Sequence, residues 1–140
     1  MLETLQTLLI ALATFGIVVT VHEYGHFVVA RHCGVKVLRF SVGFGRPLLS
    51  WRGRDGTEYV VAVLPLGGYV RMADEREGDL DEADLPRAFN RQPVRSRMAI
   101  AAAGPLANFL LAVLVLWGLF FRGEAGLVPL VDVVEPDSLA

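Results

Sequence analysis

The sequence contains a single cysteine, Cys33, and no excess of positive charge. One cysteine excludes an internal disulfide and any zinc cluster built from cysteines. Thirteen Lys and Arg against fifteen Asp and Glu leave a net charge of −2, so the basic field that nucleic acid requires is missing. We therefore exclude a disulfide-stapled secreted module and expect no nucleic-acid partner.

Charge is also missing from two long stretches of the chain. No Asp, Glu, Lys or Arg lies between Glu3 and Glu23, or between Arg97 and Arg122. Hydrophobic residues make up 54% and charged residues 20% of the 140 residues, against about 45–50% and about 25% in ordinary soluble domains. A helix needs about 20 residues to cross a bilayer core, so both stretches are long enough. The pattern predicts a membrane protein in contact with lipid.

Two spanning helices are expected, over 1–33 and 98–121. The first has Glu3 and no positive residue before it, and no small-residue cleavage pattern after it, so a retained helix is favoured over a cleaved signal peptide. Twelve of the thirteen Lys and Arg lie between positions 31 and 97. Because positive residues are retained in the cytoplasm, the middle segment is predicted to be cytoplasmic and both chain ends to lie on the far side.

The middle segment, 34–97, has a mixed composition. Residues 74–84 favour a solvated acidic loop, with acidic substrate mimicry as the alternative. Residues 88–98 place apolar residues among arginines, which predicts a helix lying at the membrane surface. Two or three short strands, with a Pro-Gly turn before the last, are expected from three stretches rich in Val and other β-formers: 35–42, 58–64 and 69–72.

Residues 22–26 read His-Glu-Tyr-Gly-His, an H-E-x-x-H motif. On a helix, residues four apart lie about 40° apart and about 6 Å along the axis, so His22 and His26 can face one cation, usually Zn²⁺. Glu23 can take a proton from a water that the metal activates and pass it to a leaving amine. Chance and surface charge pairing explain many such motifs in soluble helices. Here three ionisable groups lie in a membrane span, at a cost of about 2.5–3.5 kcal/mol each at its centre, which favours a metal site.

The motif leaves the metal one protein ligand short. His32 occupies the third-ligand position of the longer pattern H-E-x-x-H-x-x-G-x-x-H, but Val29 stands where that pattern has its helix-breaking glycine. On a continuous helix His32 would face away from His26, and with Gly34 following it is typical of a last helical turn. Cys33 is expected to be a small apolar residue at the same end. We predict neither as a ligand.

Five motifs run in order through nearly the whole chain: HEYGHFVVARHCGV at 22–35, FSVGFG at 40–45, GTEYVVAVLPLGGYVRM at 56–72, AFNRQPVRSR at 88–97 and AGPLANF at 103–109. With this set the chain resembles the site-2 proteases, zinc metalloproteases that cut peptide bonds within the membrane. The resemblance is greatest to the bacterial regulator-of-sigma-E protease branch. It implies a location in the bacterial inner membrane, with both ends periplasmic.

The resemblance implies roles for individual positions. His22 and His26 match the zinc ligands, and Glu23 matches the catalytic base. Residues near 58–72 match a β-hairpin that dips into the membrane beside the active site, where a strand edge could hold an unwound substrate by backbone pairing. The candidate substrate contacts are Gly43, Gly45, Tyr59, Val61, Val63, Gly67, Gly68 and Asn108.

Two of these candidates leave alternatives open. Gly43 and Gly45 match a Gly-x-Gly element, for which an ordinary turn is the alternative. Asn108 matches the last position of a Gly-Pro-x-x-Asn element, and its amide needs a partner in an apolar helix. Substrate, backbone and a neighbouring helix are all open as that partner.

The chain departs from the family in the third ligand, an aspartate that family members take from a later membrane helix. Only 19 residues follow Phe121, and Asp132 and Asp137 lie on the far side of the membrane. Residues 122–140 resemble the start of a periplasmic PDZ domain. We expect the remainder of a longer protein to supply the third ligand. This chain alone should bind zinc weakly or not at all and have no protease activity.

The predicted fold is a multi-pass α-helical membrane protein with a small membrane-associated β-hairpin or sheet and two transmembrane helices in this chain. The predicted function is intramembrane zinc endopeptidase, with one zinc per complete protein and membrane-embedded proteins as substrates. These would be anti-sigma factors or remnant signal peptides. The alternatives are a non-catalytic membrane adaptor, which would not need the Glu23 carboxylate, and a soluble-type zinc protease with a membrane anchor.

Overall fold

The computed structural model of the chain describes residues 2–78 and 80–123. These ranges contain two long helices and two long strands in the order α1 (Leu2–His32), β1 (Val37–Arg52), β2 (Glu58–Met72) and α2 (Val94–Arg122). Two 3₁₀ turns, Leu85–Arg87 and Phe89–Arg91, precede α2. The PDZ start predicted over 122–140 lies, apart from its first two residues, outside the described residues.

Both apolar helices expected from the sequence are present, and each is long and apolar enough to cross a membrane. The 31 residues of α1 extend over about 47 Å and the 29 of α2 over about 44 Å, at about 1.5 Å per residue. Their apolar side chains are mostly exposed: Leu9 is 57%, Phe109 70% and Phe120 74% accessible. Such surfaces suit a hydrocarbon solvent, in which the helical backbone satisfies its own hydrogen bonds.

The strands form an antiparallel sheet, joined by a turn at 53–56. In this turn the Gly53 N–H donates to the Thr57 carbonyl at 2.8 Å and the Gly56 N–H to the Gly53 carbonyl at 3.0 Å. Next to it, residues 47–52 pair with 62–58. The start of β1 pairs with the end of β2, from Val37 opposite Met72 to Val42 opposite Gly68.

Each strand takes part in a further pairing because both are bent. Residues 39–42 of β1 also pair with 58–61 of β2, and here the residue numbers rise together, as in parallel strands. The sequence predicts a turn at 65–68, whereas these residues remain in β2, which bends there. The bend in β1 contains Gly43 and Gly45, with φ of 88° and 89°. Only glycine adopts such angles without steric cost, so these residues allow the strand to fold back on its partner.

Residues 88–98 do not form the separate surface helix that the sequence predicts. Phe89–Arg91 is a 3₁₀ turn, and residues from Val94 onward belong to α2 itself. The cause is Pro93, whose ring disfavours helical angles in the preceding residue, and Gln92 is extended with ψ of 151°. Pro93 then caps α2, which begins four residues earlier than predicted.

The acidic loop after β2 is held to the segment before α2. The Ala73 N–H donates to the Lys36 carbonyl at 2.8 Å, and the Phe89 N–H donates to the Ala73 carbonyl at 2.7 Å. Glu75 forms an ion pair with Arg91. The hydrogen bond from the Arg91 guanidinium holds the pKa of the Glu75 carboxyl below its ordinary value. The loop therefore has a defined attachment.

A small core joins the helices to the sheet. Phe27, Ala30, Val35, Val37 and Ile100 are buried against one another. They come from the last turns of α1, the connection that follows it, the start of β1 and the second turn of α2. The core therefore fixes α1 against α2 beside the H-E-x-x-H motif.

Candidate metal centre

The backbones of α1 and α2 touch where small residues face each other. A Cβ atom on Gly25 would lie 2.5 Å from the Ala103 carbonyl oxygen and 2.7 Å from the Ala107 Cβ. Both distances are far below van der Waals contact, so a side chain at Gly25 would push the helices apart. Small residues allow the same close approach between helices in membranes, where packing stabilises association.

The two imidazoles of the motif converge beside Gly104 of α2. Their ring centroids are 4.8 Å apart with an interplanar angle of 78°. A Cβ atom on Gly104 would lie 2.4 Å from His26 Nε2 and 2.6 Å from His22 Nε2. Gly104 thus leaves open a space that both Nε2 atoms border.

The other nitrogen of each ring is in contact with α2. His26 Nδ1 lies 2.6 Å from the Ile100 carbonyl oxygen, which can only accept, so this Nδ1 carries a proton; in the neutral ring Nε2 then has the free lone pair. His22 Nδ1 lies 3.2 Å from Asn108 Nδ2. Because His26 meets position 100 and His22 meets position 108, α1 and α2 run antiparallel. Metal-binding histidines usually donate the N–H of their second ring nitrogen to a carbonyl or carboxylate, as His26 Nδ1 donates to the Ile100 carbonyl.

Glu23 follows His22 directly on α1 and is partly buried. Within residues 2–78 and 80–123, no group of three or more His, Cys, Asp or Glu side chains converges on one point. Catalytic zinc sites use three protein ligands and leave a position open for water or substrate. Among the described residues, the two Nε2 atoms of the motif could supply two ligands of such a set.

His32 and Cys33 lie at the end of α1. The ring of His32 is exposed, with Nδ1 2.8 Å from the Val28 carbonyl oxygen one turn earlier. Cys33 is partly buried against the core that contains Phe27. Both placements agree with the prediction of helix-end roles.

The bent part of β2 packs against α1 far from the end of that helix. A Cβ atom on Gly16 would lie 2.8 Å from the Pro65 carbonyl oxygen, and one on Gly67 would lie 3.5 Å from Val19 Cγ1. Gly16 is about 24 Å along the axis from the last residue of α1, at about 1.5 Å per residue. Val19 is one turn before His22. The sheet thus reaches the level of the motif along α1.

Two cavities adjoin this region. One, of about 330 Å³, is almost wholly apolar and lies between α1 and the bent sheet, where it is lined by Gly16, Thr20 and Gly67 among others. The second, of about 570 Å³, reaches His26 from the side of the acidic loop. Its ionisable lining residues are His26, Arg71, Asp74, Glu77 and Tyr69. An apolar segment could occupy the first cavity, and water could reach His26 through the second.

The structure places only some of the predicted substrate contacts near the histidines. Gly67 lies beside α1, and Asn108 contacts His22. Val61 and Val63 are on the outer face of β2, with 36% and 48% exposure. They alternate with buried residues, as expected of a strand with one covered face.

The other predicted contacts have roles within the sheet. The Tyr59 ring stacks on Trp51 with centroids 5.5 Å apart and packs on Phe27 at 6.0 Å. A Cβ atom on Gly68 would lie 2.4 Å from the Ser41 carbonyl oxygen, so Gly68 permits close strand pairing. Gly43 and Gly45 line a small hollow on the sheet with Arg39 and Glu58. None of these contacts involves the two histidines.

Sequence reasoning missed two parts of the centre, the Ile100 carbonyl and the space at Gly104. A backbone carbonyl has no residue signature, and the Gly-Pro-x-x-Asn element that contains Gly104 does not reveal that this glycine faces the histidines. The four-residue spacing of Ile100, Gly104 and Asn108 was the available signal, because it puts all three on one side of a helix.

Neutral imidazole nitrogens and a space kept open by a glycine fit a zinc ion. Two apolar helices that present such a pair define the class of a membrane metalloprotein. The chain belongs to peptidase family M50, whose family model matches residues 10–135. The resemblance to site-2 proteases is thereby confirmed.

Named relatives agree with this assignment. The chain is 48% identical over 142 residues to the regulator of sigma-E protease RseP of Escherichia coli K12, covering 100% of this chain and 31% of that protein. A Neisseria meningitidis protein that carries the name of a zinc metalloprotease is 55% identical over 137 residues, or 97% of this chain and 30% of the relative. A Xylella fastidiosa protein named likewise is 58% identical over 113 residues, or 81% and 26%. The chain thus spans less than a third of the length of each of these relatives.

Proposed function

We propose that this chain is the zinc-binding part of an intramembrane metalloendopeptidase, which hydrolyses peptide bonds in the membrane-spanning segments of other proteins. The observation that carries the proposal is the convergence of His22 Nε2 and His26 Nε2 beside Gly104, between two apolar helices. Membership of family M50 and the protease names of the relatives support the same activity.

His22 and His26 would hold zinc through their Nε2 atoms. When bound, zinc would polarise the scissile carbonyl and activate a water molecule. The third ligand would be an aspartate outside residues 2–78 and 80–123, supplied by the remainder of a longer protein, with one zinc per complete protein. We therefore expect this chain alone to bind zinc weakly or not at all and to have no protease activity.

Glu23 is the proposed general base. Glu23 follows His22 directly on α1, is partly buried, and has the carboxylate that this role requires. The carboxylate would take a proton from the attacking water and then give it to the amine that leaves. A binding protein would have no use for this carboxylate, so Glu23 separates the protease from the adaptor alternative.

The sheet is the proposed substrate platform. A helical substrate hides its carbonyls, so it must be extended before it can be cut, and a strand edge can hold an extended segment by backbone pairing. The outward side chains of Val61 and Val63 and the apolar cavity beside Gly67 suit an apolar segment. Single-span proteins such as anti-sigma factors, or remnant signal peptides, are the proposed substrates in regulated intramembrane proteolysis.

The proposed location is the bacterial inner membrane. The excess of Lys and Arg between the two helices supports a cytoplasmic middle segment and periplasmic ends. Residues 122–140 would then begin a periplasmic PDZ domain. The cavity that reaches His26 from the side of the acidic loop would open to the cytoplasm.

Replacing Glu23 with Gln in the full-length protein tests the mechanism. We expect cleavage of a membrane substrate to fall at least about 100-fold, as general acid–base catalysis contributes that much or more, while bound zinc stays near one per protein. Glu3→Gln is the matched control, because Glu3 is an exposed carboxylate in the first turn of the same helix. Unchanged cleavage by the Glu23→Gln protein would contradict the proposal.

A further inference from the structure

Three positions on α2 meet the two histidines in register. Ile100, Gly104 and Asn108 are each four residues apart, so they follow one side of the helix with steps of about 6 Å. The Ile100 carbonyl oxygen contacts His26 Nδ1, Gly104 adjoins both Nε2 atoms, and the Asn108 amide contacts His22 Nδ1. One face of α2 therefore reaches every ring nitrogen of the motif.

The two Nδ1 contacts differ in what they require of the proton. The Ile100 carbonyl can only accept, which fixes the proton of His26 on Nδ1. An amide can either donate through Nδ2 or accept through Oδ1. If Asn108 Nδ2 donates to His22 Nδ1, the His22 proton must be on Nε2, and that nitrogen has no lone pair for a metal.

Turning the Asn108 amide by 180° removes this conflict. Its oxygen and nitrogen have nearly the same shape, so the turn exchanges donor and acceptor without moving the backbone. Oδ1, which is buried and has no partner among the described residues, would then lie 3.2 Å from His22 Nδ1, where Nδ2 is now. Rotating the amide leaves its nitrogen without a partner instead of its oxygen, so burial does not favour either orientation. Coordination through His22 Nε2 is possible only in the rotated orientation.

We propose that Asn108 is a positioning residue for the metal: its Oδ1 accepts the Nδ1–H of His22, which places the lone pair on Nε2, toward the space at Gly104. α2 then holds both ligands in the same tautomer, His26 through a backbone carbonyl and His22 through an amide oxygen. This inference rests on the proposed zinc function. It assigns Asn108 to the metal centre, whereas the sequence made it a candidate substrate contact and left backbone and a neighbouring helix open as alternative partners.

The direction of the hydrogen bond can be tested with zinc affinity in the full-length protein, measured by competition with a chelator. Asn108→Leu removes the acceptor at similar volume and should weaken zinc binding about 10- to 100-fold, the usual effect of losing such an outer contact. Asn108→Asp keeps an acceptor but has no donor when ionised. The Asp variant should therefore bind zinc at least about 10-fold more tightly than the Leu variant. Asn90→Leu, which removes an amide that contacts Glu75, is the control, and its zinc affinity should equal that of the unaltered protein.

The outcomes separate this inference from the proposed function. If Asn108→Asp and Asn108→Leu weaken zinc binding equally while the protein stays folded, the amide acts as a donor or only as packing, and the inference is wrong. If Asn108→Leu binds zinc like the unaltered protein, Asn108 has no role at the metal, although the protease can still be active. If the unaltered protein binds no zinc, the proposed function itself fails. Nitrogen NMR of the zinc-loaded protein should show the His22 proton on Nδ1.

Discussion

Replacing Gly104 with Ala places a methyl group in the space beside the two imidazoles. The new Cβ would lie 2.4 Å from His26 Nε2, 2.6 Å from His22 Nε2 and 2.7 Å from His26 Cε1. An ordinary contact needs about 1 Å more. Because Gly104 is held by the helix backbone and His26 is tied to Ile100, the rings or the helices must move apart.

The expected effects on stability and on zinc binding differ in size. Overpacking costs about 1–3 kcal/mol, and the better helix propensity of Ala returns up to about 1 kcal/mol. The free energy of unfolding should therefore fall by about 0–3 kcal/mol. Zinc tolerates ligand distances only within about 0.2 Å, so a shift of about 1 Å at both Nε2 atoms should abolish tight binding.

The assay is zinc content and chelator competition on the full-length protein, with cleavage of a membrane substrate measured in parallel. Gly118→Ala is the matched control, because a Cβ on this second glycine of α2 has nothing within 4 Å. That variant should keep its zinc and its activity and gain up to about 1 kcal/mol of helix stability. A Gly104→Ala protein that binds zinc and cleaves like the unaltered one would refute the geometry described for the site.

The remaining predictions concern the sheet and the acidic loop. Gly16→Ala, whose Cβ would lie 2.8 Å from the Pro65 carbonyl oxygen, should displace the bent strand from α1. Substrate cleavage should then fall several-fold while zinc affinity is unchanged. A fall in both would contradict the separate roles proposed for the sheet and the metal centre. Arg91 lowers the pKa of the Glu75 carboxyl, so the ion pair contributes fully above the ordinary carboxyl pKa of about 4 and its contribution is lost as the pH falls through the lowered value. Arg91→Ala should therefore increase hydrogen exchange in the loop relative to the unaltered protein at pH 7, and this difference should disappear once the pH is below the lowered pKa of Glu75. An equal difference at neutral and at acid pH would exclude the ion pair as its cause.

Local patterns account for most of what could be predicted of the fold. The gaps in charge predict both helices because lipid accepts only apolar side chains, and that signal is carried by each stretch on its own. The strands were harder to predict. A Pro-Gly stretch at 65–68 has the composition of a turn, yet pairing with β1 on both sides keeps it in one bent strand. The prediction of a separate surface helix was wrong for a local reason, because Pro93 disfavours helical angles at Gln92.

The candidate site also has a part that the local sequence predicts and a part that only tertiary contacts determine. The spacing of His22 and His26 by itself determines that two imidazoles share a helix face, because four residues make little more than one turn. The tertiary structure alone decided what stands opposite them. Ile100, Gly104 and Asn108 are more than seventy residues away in sequence, and their meeting with the histidines depends on how closely Gly25 lets two helices approach. Such contacts depend on differences of a few tenths of an ångström in the separation of the two backbones, which no residue pattern encodes.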